Sequence, residues 1–468
     1  MILIPVDKLR ITMHISIWKY IIFSLLFSAL IVQLPGCSKT EEIDYNIILI
    51  SIDALRLDHM GCYGYYRNTS DCIDTIASQS IIFNNAVTPR PKTTASLATL
   101  LTGLYPYRTG IRDLTGPLKE EINLPSILKQ NGYITAAFVS NWVLRSERSG
   151  FNQYFDYYDD QFTDPELNRS DVYERSAGKT NVKVIEWLKK NSSNKFFLWI
   201  HYNDPHGSYS PPEDYRDIFS NPKRQMVPAD RIPAYQFLPE AYVTGDKTDA
   251  NYYINQYDNE IYYTDKQIGE LYKELGTLKL LDRSIIIITS DHGESLGEHN
   301  NYFVHGNQVY EDTCKIPLII NLPGEHRIKK INGLVSIMDL FPTILDFLGI
   351  ENNMSIDGVS LVPLIEGSVN QARKEVFIEC YLDNKYEKLA IRTDKEKLIK
   401  KGNRYEAYDL EKDILELNPH SLSDGKIHIL KEKLLQYLDN SNRNKKQLNK
   451  MIVSEQDLVN LRALGYVQ

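Results

Sequence analysis

Three side chains able to hold a cation and one hydroxyl able to attack an ester stand out in this sequence. Asp53 follows the apolar run Asn46-Ile-Ile-Leu-Ile-Ser-Ile52, and Asp291-His292 follows Ser284-Ile-Ile-Ile-Ile-Thr-Ser290. Two buried β-type runs ending in acids read as strands of an open α/β sheet, whose ligands sit beyond the carboxyl ends of the strands. Two carboxylates and an imidazole at such an edge form a donor set for a metal. Between them, Leu97, Leu100, Leu101 and Leu104 recur at helical spacing, with Gly103 as a stop and Pro106 against continuation. The helix therefore begins within Thr93–Ser96, where free N–H groups and the helix dipole attract anions. Alone, this start reads as a Thr cap on a packed helix. The two acid-ended strands shift the reading toward an anion site beside a metal.

The segments between these residues must position them. Gly132–Ser140 and Phe196–His201 read as further buried strands, Pro317–Asn321 as another, and Val182–Lys190, Asn255–Leu275 and Val335–Leu348 as helices, the second stopping at Gly276. Gln153–Lys179 reads as an excursion over the sheet, and the Pro-rich Pro211–Thr248 as an irregular active-site rim. Past about Asn352 the pattern changes to short strands and charged helices. No internal repeat or low-complexity stretch occurs. The chain divides into a leader over 1–37, a catalytic domain over 44–350 and a C-terminal subdomain over 351–468.

At 468 residues the chain can bury a large core, and its net charge of -8 argues against nucleic acid as a partner. The 31 Tyr read mainly as packing material. At the N-terminus, Lys8, Arg10 and Lys19 precede the apolar run Tyr20–Val32 and Leu34-Pro-Gly-Cys37, the order of a secretory signal. The Leu-x-Gly-Cys ending resembles a bacterial lipobox with Cys37 as the lipidated residue. A membrane lipoprotein of a bacterial cell envelope, facing the periplasm or the surface, is the expectation. Of the four remaining cysteines, Cys62 and Cys72 form either a disulfide or two free thiols.

Ile52-Asp-Ala-Leu-Arg-Leu-Asp-His-Met-Gly-Cys-Tyr-Gly64, Thr93–Gly110, His201-Tyr-Asn-Asp-Pro-His-Gly207, Ser290–His299, Met338-Asp-Leu-Phe-Pro-Thr343 and Asp357–Leu364 run in one order. Together they resemble the sulfatase family of the alkaline-phosphatase-like superfamily. The resemblance implies an α/β fold with a central mixed sheet flanked by helices and a small C-terminal α+β subdomain. Lys388–Thr393 and Ala407–Asp413 resemble that subdomain's antiparallel sheet, and Leu461–Tyr466 also recurs in relatives. It further implies Asp53, Asp291 and His292 as metal ligands, Thr93 as nucleophile and metal neighbour, Thr94 as a helix cap, and His206 and His305 as groups that contact substrate oxygens or move a proton. His201 and His299 read as structural residues, and Asp204, His206 and His305 as seats for a second ion.

The departures from the family pattern narrow the chemistry. Sulfatases convert Cys or Ser to formylglycine within Cys/Ser-x-Pro-x-Arg, where this chain has Thr93-Thr-Ala-Ser-Leu97. The paired acids become Asp53-Ala54, Asp-Asn becomes Asp291-His292, and the Lys-x-His region holds Ser140-Asn141-Trp142. A Thr nucleophile with an Asp/Asp/His site resembles the phosphoester and phosphonate branches, including phosphoethanolamine transferases and phosphodiesterases. Imidazole in place of carboxylate favours Zn²⁺ or Mn²⁺ over Ca²⁺ or Mg²⁺. The expected function is a lipid-anchored, metal-dependent hydrolase or transferase of phosphoester, phosphonate or sulfate ester substrates, whether small molecule, glycan or lipid. A true sulfatase and a silent glycan-binding lipoprotein are the alternatives. Joint retention of Asp53, Thr93, Asp291 and His292 favours the enzyme.

Overall fold

Strand β1 (Asn46–Ile52) is buried along its whole length. Ile47 and Leu49 enter one core cluster, and Ile48, Ile50 and Ile52 enter another on the opposite face. A strand covered on both faces reads as a continuous apolar run, not an alternating one. The computed structural model describes residues 45–112, 117–166, 169–220, 249–324, 328–382, 385–419 and 423–444. Cys37 with its leader, Leu461–Tyr466 and most of the Pro-rich rim lie outside the described residues.

The main sheet also holds β2 (Ile81–Val87), β3 (Ile134–Val139) and β4 (Tyr157–Asp159). A separate hairpin, β5 (Asp164–Glu166) with β6 (Arg169–Glu174), makes up much of the expected excursion. Then come β7 (Phe196–Tyr202), β8 (Ser284–Ser290), the small pair β9 (Ser295–Leu296) and β10 (Tyr302–Val304), and β11 (Lys315–Asn321), β12 (Lys329–Ile331) and β13 (Val335–Ser336). The order is β12-β2-β11-β8-β1-β7-β3-β4, with β13 also on β2. Strands β8, β1, β7, β3 and β4 run parallel, while β11 is antiparallel to β8 and β2. The sheet is therefore mixed, with helices on its faces, as expected. Among the described residues, no helix is long and apolar enough to cross a membrane.

Several boundaries differ from expectation for local reasons. The helix drawn to Gly276 spans Ala250–Thr277, because Asp249 accepts from the Asn251 N–H at its start and Leu278 donates to Glu274 and Gly276 at its end. Val335–Leu348 is not one helix. It divides into β13, a turn at Ile337–Asp339 and the helix Leu340–Phe347, with the Asp339 carboxylate accepting from the Ser336 N–H at 2.8 Å. The helix Thr93–Thr102 stops at Gly103 as expected, and Pro106 also opens the short helix Pro106–Thr109, where its missing N–H costs nothing. Cys62, Cys72, Cys314 and Cys380 are all free, so Cys62 and Cys72 are not paired.

The C-terminal strands β14 (Val376–Leu382), β15 (Lys385–Arg392), β16 (Glu396–Lys401) and β17 (Arg404–Asp409) form an antiparallel sheet. Leu430, Leu434 and Tyr437 of the helix Asp424–Arg443 pack on it. From β14, the Glu379 N–H donates to Pro89 O at 2.8 Å and the Glu379 carboxylate takes Arg112 at 2.8 and 2.6 Å. The small sheet thus grips the loop that leads into Thr93.

Candidate active site

Strand register brings the acids together. Ile52 pairs with Ser290 and Ser51 with His201, so Asp53 and Asp291 leave neighbouring parallel strands at the same level, beside His201. Asp53, His201 and Asp291 are fully buried, and each offers a ligand atom within 4.8 Å of the others. His292 completes the group, its Nε2 lying 3.6 Å from Asp53 Oδ1 and 3.4 Å from Asp291 Oδ2. Its Nδ1 donates to Gly293 O at 2.9 Å, which leaves Nε2 with a lone pair facing the carboxylates. Asp53 Oδ1 and Asp291 Oδ2 are buried with no hydrogen-bond partner among the described residues. Buried carboxylate oxygens seldom go unpartnered, and orphans that face a lone-pair nitrogen fit a cation.

The electrostatics agree. Burial, and then the facing Asp53, push the Asp291 carboxyl well above the usual range. Burial also pushes Asp53 upward, but the imidazoles of His206 and His201 outweigh it and hold that carboxyl below the usual range. Burial, and then the nearby His305, lower His292 to about 3, so its ring is neutral and free to ligate. Two like charges in so small a space need a positive counter-charge.

Thr93 is the first residue of the helix Thr93–Thr102, and its Oγ1 lies 3.2 Å from His292 Nε2. Ser96 N–H already bonds Lys92 O, so helix geometry leaves the donors of Thr93, Thr94 and Ala95, not Ala95–Leu97, without intrahelical acceptors. Thr94 does not cap the helix: Lys92 is the N-cap, and Thr94 Oγ1 is buried without a hydrogen-bond partner among the described residues. Gly103 closes the helix at φ 67. His305 stacks on His292 with ring centroids 4.3 Å apart, and His206 meets His305 edge-on at 5.1 Å. The structure therefore brings Asp53, Thr93, His206, Asp291, His292 and His305 into one site.

Other expectations change. His201 is no mere core residue. Its Nδ1 bonds Ser51 Oγ at 2.8 Å, and its Nε2 lies 3.2 Å from Asp53 Oδ2. The signal was there: one polar residue near the carboxyl end of an otherwise apolar strand. Asn141 was also missed; its amide donates to Asp53 Oδ2 at 2.6 Å, from the region where the family carries Lys-x-His. Asp204, His206 and His305 do not converge as a ligand group among the described residues, and Asp204 Oδ2 instead accepts from Ala177 N–H at 2.8 Å, at the start of the helix Ala177–Asn191. His299 lies flat on Tyr310 with centroids 3.6 Å apart, a structural role as expected.

The family described as Sulfatase matches residues 45–350, and the one described as N-sulphoglucosamine sulphohydrolase, C-terminal, matches residues 297–444. An N-acetylglucosamine-6-O-sulfatase from Bacteroides thetaiotaomicron is 26% identical, over 86% of this chain and 88% of its own length. An arylsulfatase from Clostridium perfringens is 24% identical, over 80% and 89%. Among solved structures, a protein in complex with its substrate D-glucosamine-2-N,6-O-disulfate shares the fold at a TM-score of 0.71 and 23% identity, over 86% of this chain and 98% of that one. The phosphonate monoester hydrolase of Agrobacterium radiobacter does so at 0.69 and 19% identity, over 88% and 98%.

Proposed function

The chain belongs to the sulfatase family, and we propose that this member is a metal-dependent hydrolase of phosphoesters or phosphonate esters that attacks through Thr93. It is an ester hydrolase of the alkaline-phosphatase-like superfamily; the choice of ester and nucleophile is the proposal. One observation carries it: a buried Thr hydroxyl, not Cys or Ser, opens the helix and sits 3.2 Å from a neutral imidazole nitrogen within the acid cluster. An unmodified Thr cannot give the aldehyde hydrate of formylglycine. A phosphoryl group on Thr is released by water more readily than a sulfuryl group.

Asp53, His201, Asp291 and His292 would hold a divalent ion, which when bound supplies Lewis acidity to the hydroxyl and to the ester oxygens. With two imidazoles in the set, Zn²⁺ or Mn²⁺ suits it better than Ca²⁺ or Mg²⁺. The chain's own part is to aim the Thr93 oxygen, to receive the ester's non-bridging oxygens on the N–H groups of Thr93, Thr94 and Ala95, and to place His206 and His305 beside the reacting bond. Membrane attachment through lipid on Cys37 belongs to the same reading and rests on the basic residues and apolar run that lead into Leu34-Pro-Gly-Cys37. Cys37→Ser should release the protein from the membrane fraction.

A second reading, sulfate-ester hydrolysis on a sugar, is favoured by the names of the relatives and by the disulfated glucosamine held by a structural neighbour. Aryl sulfate, phosphate mono- and diester and phosphonate substrates, each with Zn²⁺, Mn²⁺, Ca²⁺ and Mg²⁺, separate the two. Highest kcat/KM on a phosphorus ester supports the first reading, and on a sulfate ester the second.

A further inference from the structure

Glu294 is fully buried, and its side chain meets no lysine or arginine among the described residues. The Arg56 guanidinium bonds the Glu294 backbone carbonyl at 3.0 Å, not its carboxylate. A carboxylate in such a place is costly unless its oxygens are used. Both are. Oε1 lies 3.2 Å from His305 Nδ1, and Oε2 accepts from the Tyr209 hydroxyl at 3.1 Å. Tyr209 ends the Pro205-His-Gly-Ser-Tyr209 segment that carries His206. One carboxylate therefore ties together the two segments that bring His206 and His305 to the site.

We propose that Glu294 is a positioning residue for this reaction: it holds His305 in the Nδ1–H tautomer, with Nε2 turned toward the ester. The inference rests on the hydrolase reading above. An imidazole has two nitrogens, and once Nδ1 donates to a carboxylate, Nε2 is left as the acceptor. Stacking on His292 at 4.3 Å and 26° fixes the plane of the ring. Glu294 sets which edge of that ring faces the site. The acceptor at Nε2 then takes an O–H, either from the water that hydrolyses the Thr93 ester or from a substrate hydroxyl.

The test uses the full-length protein with its metal, labelled with ¹⁵N-histidine. A long-range ¹H–¹⁵N spectrum, assigned with His305→Gln, should show His305 as Nδ1–H, and Glu294→Ala should shift it toward Nε2–H. Wild-type His305 found as Nε2–H overturns the proposal. In kinetics, Glu294→Ala should lower activity about 10–100-fold, the usual loss for a group that orients an active-site side chain. Glu294→Gln should recover most of it, because an amide oxygen still accepts from Nδ1–H. A kcat loss on every ester identifies the attacking water as the O–H donor; a KM rise confined to hydroxylated esters identifies the substrate. A glutamine variant as impaired as the alanine variant, both folded by melting curve, overturns the positioning role. If the wild type hydrolyses no ester, the hydrolase reading falls and the catalytic half of this proposal with it, while the spectrum still decides whether Glu294 holds His305.

Discussion

At the scale of the residue, the site is a balance of charges that the chain alone leaves unsatisfied. Asp53 and Asp291 lie buried side by side, and burial with mutual repulsion opposes charging both. Asp291→Asn should therefore lose stoichiometric divalent metal, while the metal-free variant melts no lower than metal-free wild type, since it deletes one of two repelling carboxylates. Elemental analysis and melting curves after chelation check this; retained metal would contradict the assignment. Asp53, Asp291 and His292 were legible because each follows an apolar strand; the helical spacing narrowed the hydroxyl to Thr93–Ser96, and the family resemblance selected Thr93. His201 carried only the signal of a polar residue near the end of an apolar strand, which looks like a core histidine until register sets it beside Asp53. Asn141 and Glu294 were hidden for the same reason: their partners are 88 and 11 residues away in sequence.

Elements hold these residues by their ends, and the ends were the least legible part. The doubly buried strands β1, β7 and β8 announce themselves as apolar runs, but helix limits depend on side chains such as Asp249 and Asp339 whose bonds cannot be read from spacing. Gly103 is a clear case where an end matters. It sits at φ 67, and a Cβ there would approach Phe341 at 3.2 Å. Gly103→Ala should cost about 1–2 kcal/mol from the left-handed backbone alone, read as a shift in urea midpoint. A second element-scale test lies where the helix Ala250–Thr277 meets the helix Asp71–Ala77. There Asp265 accepts from the N–H groups of Cys72 and Ile73, and burial raises its carboxyl to about 7. Its folded value lies above the unfolded one, so its contribution is full below roughly pH 4 and is lost as pH rises through 7. The melting temperature should fall across that window, and Asp265→Asn, a neutral mimic of the protonated acid, should flatten the fall. An identical slope in the variant would refute this.

Over the whole molecule, the C-terminal sheet is part of the catalytic apparatus because β14 grips the loop before Thr93. The change of pattern near Asn352 made a separate subdomain legible, but not its hold on that loop. The Arg112–Glu379 pair joining the two is buried, with side chains 2% and 0% exposed. Glu379→Ala takes away the buried carboxylate that both Arg112 hydrogen bonds reach, so a loss of about 3–5 kcal/mol is expected. Activity should fall with it, because Glu379 holds Arg112, whose backbone carbonyl accepts from Arg90 Nε at 2.9 Å on the approach to the helix. Thermal melting and kcat together check this, and full activity in a folded variant would separate the sheet from the site. The central claim is that this fold delivers Thr93 to the ester. Thr93→Ala should reduce kcat by on the order of 10³-fold or more, as loss of a nucleophile does, while Thr93→Ser keeps a good part of it. The most direct measurement is a peptide map after acid quench with a slow, radiolabelled phosphodiester. A phosphoryl label on Thr93 is the predicted result; a label on Thr94, or none on the peptide while turnover proceeds, would contradict it.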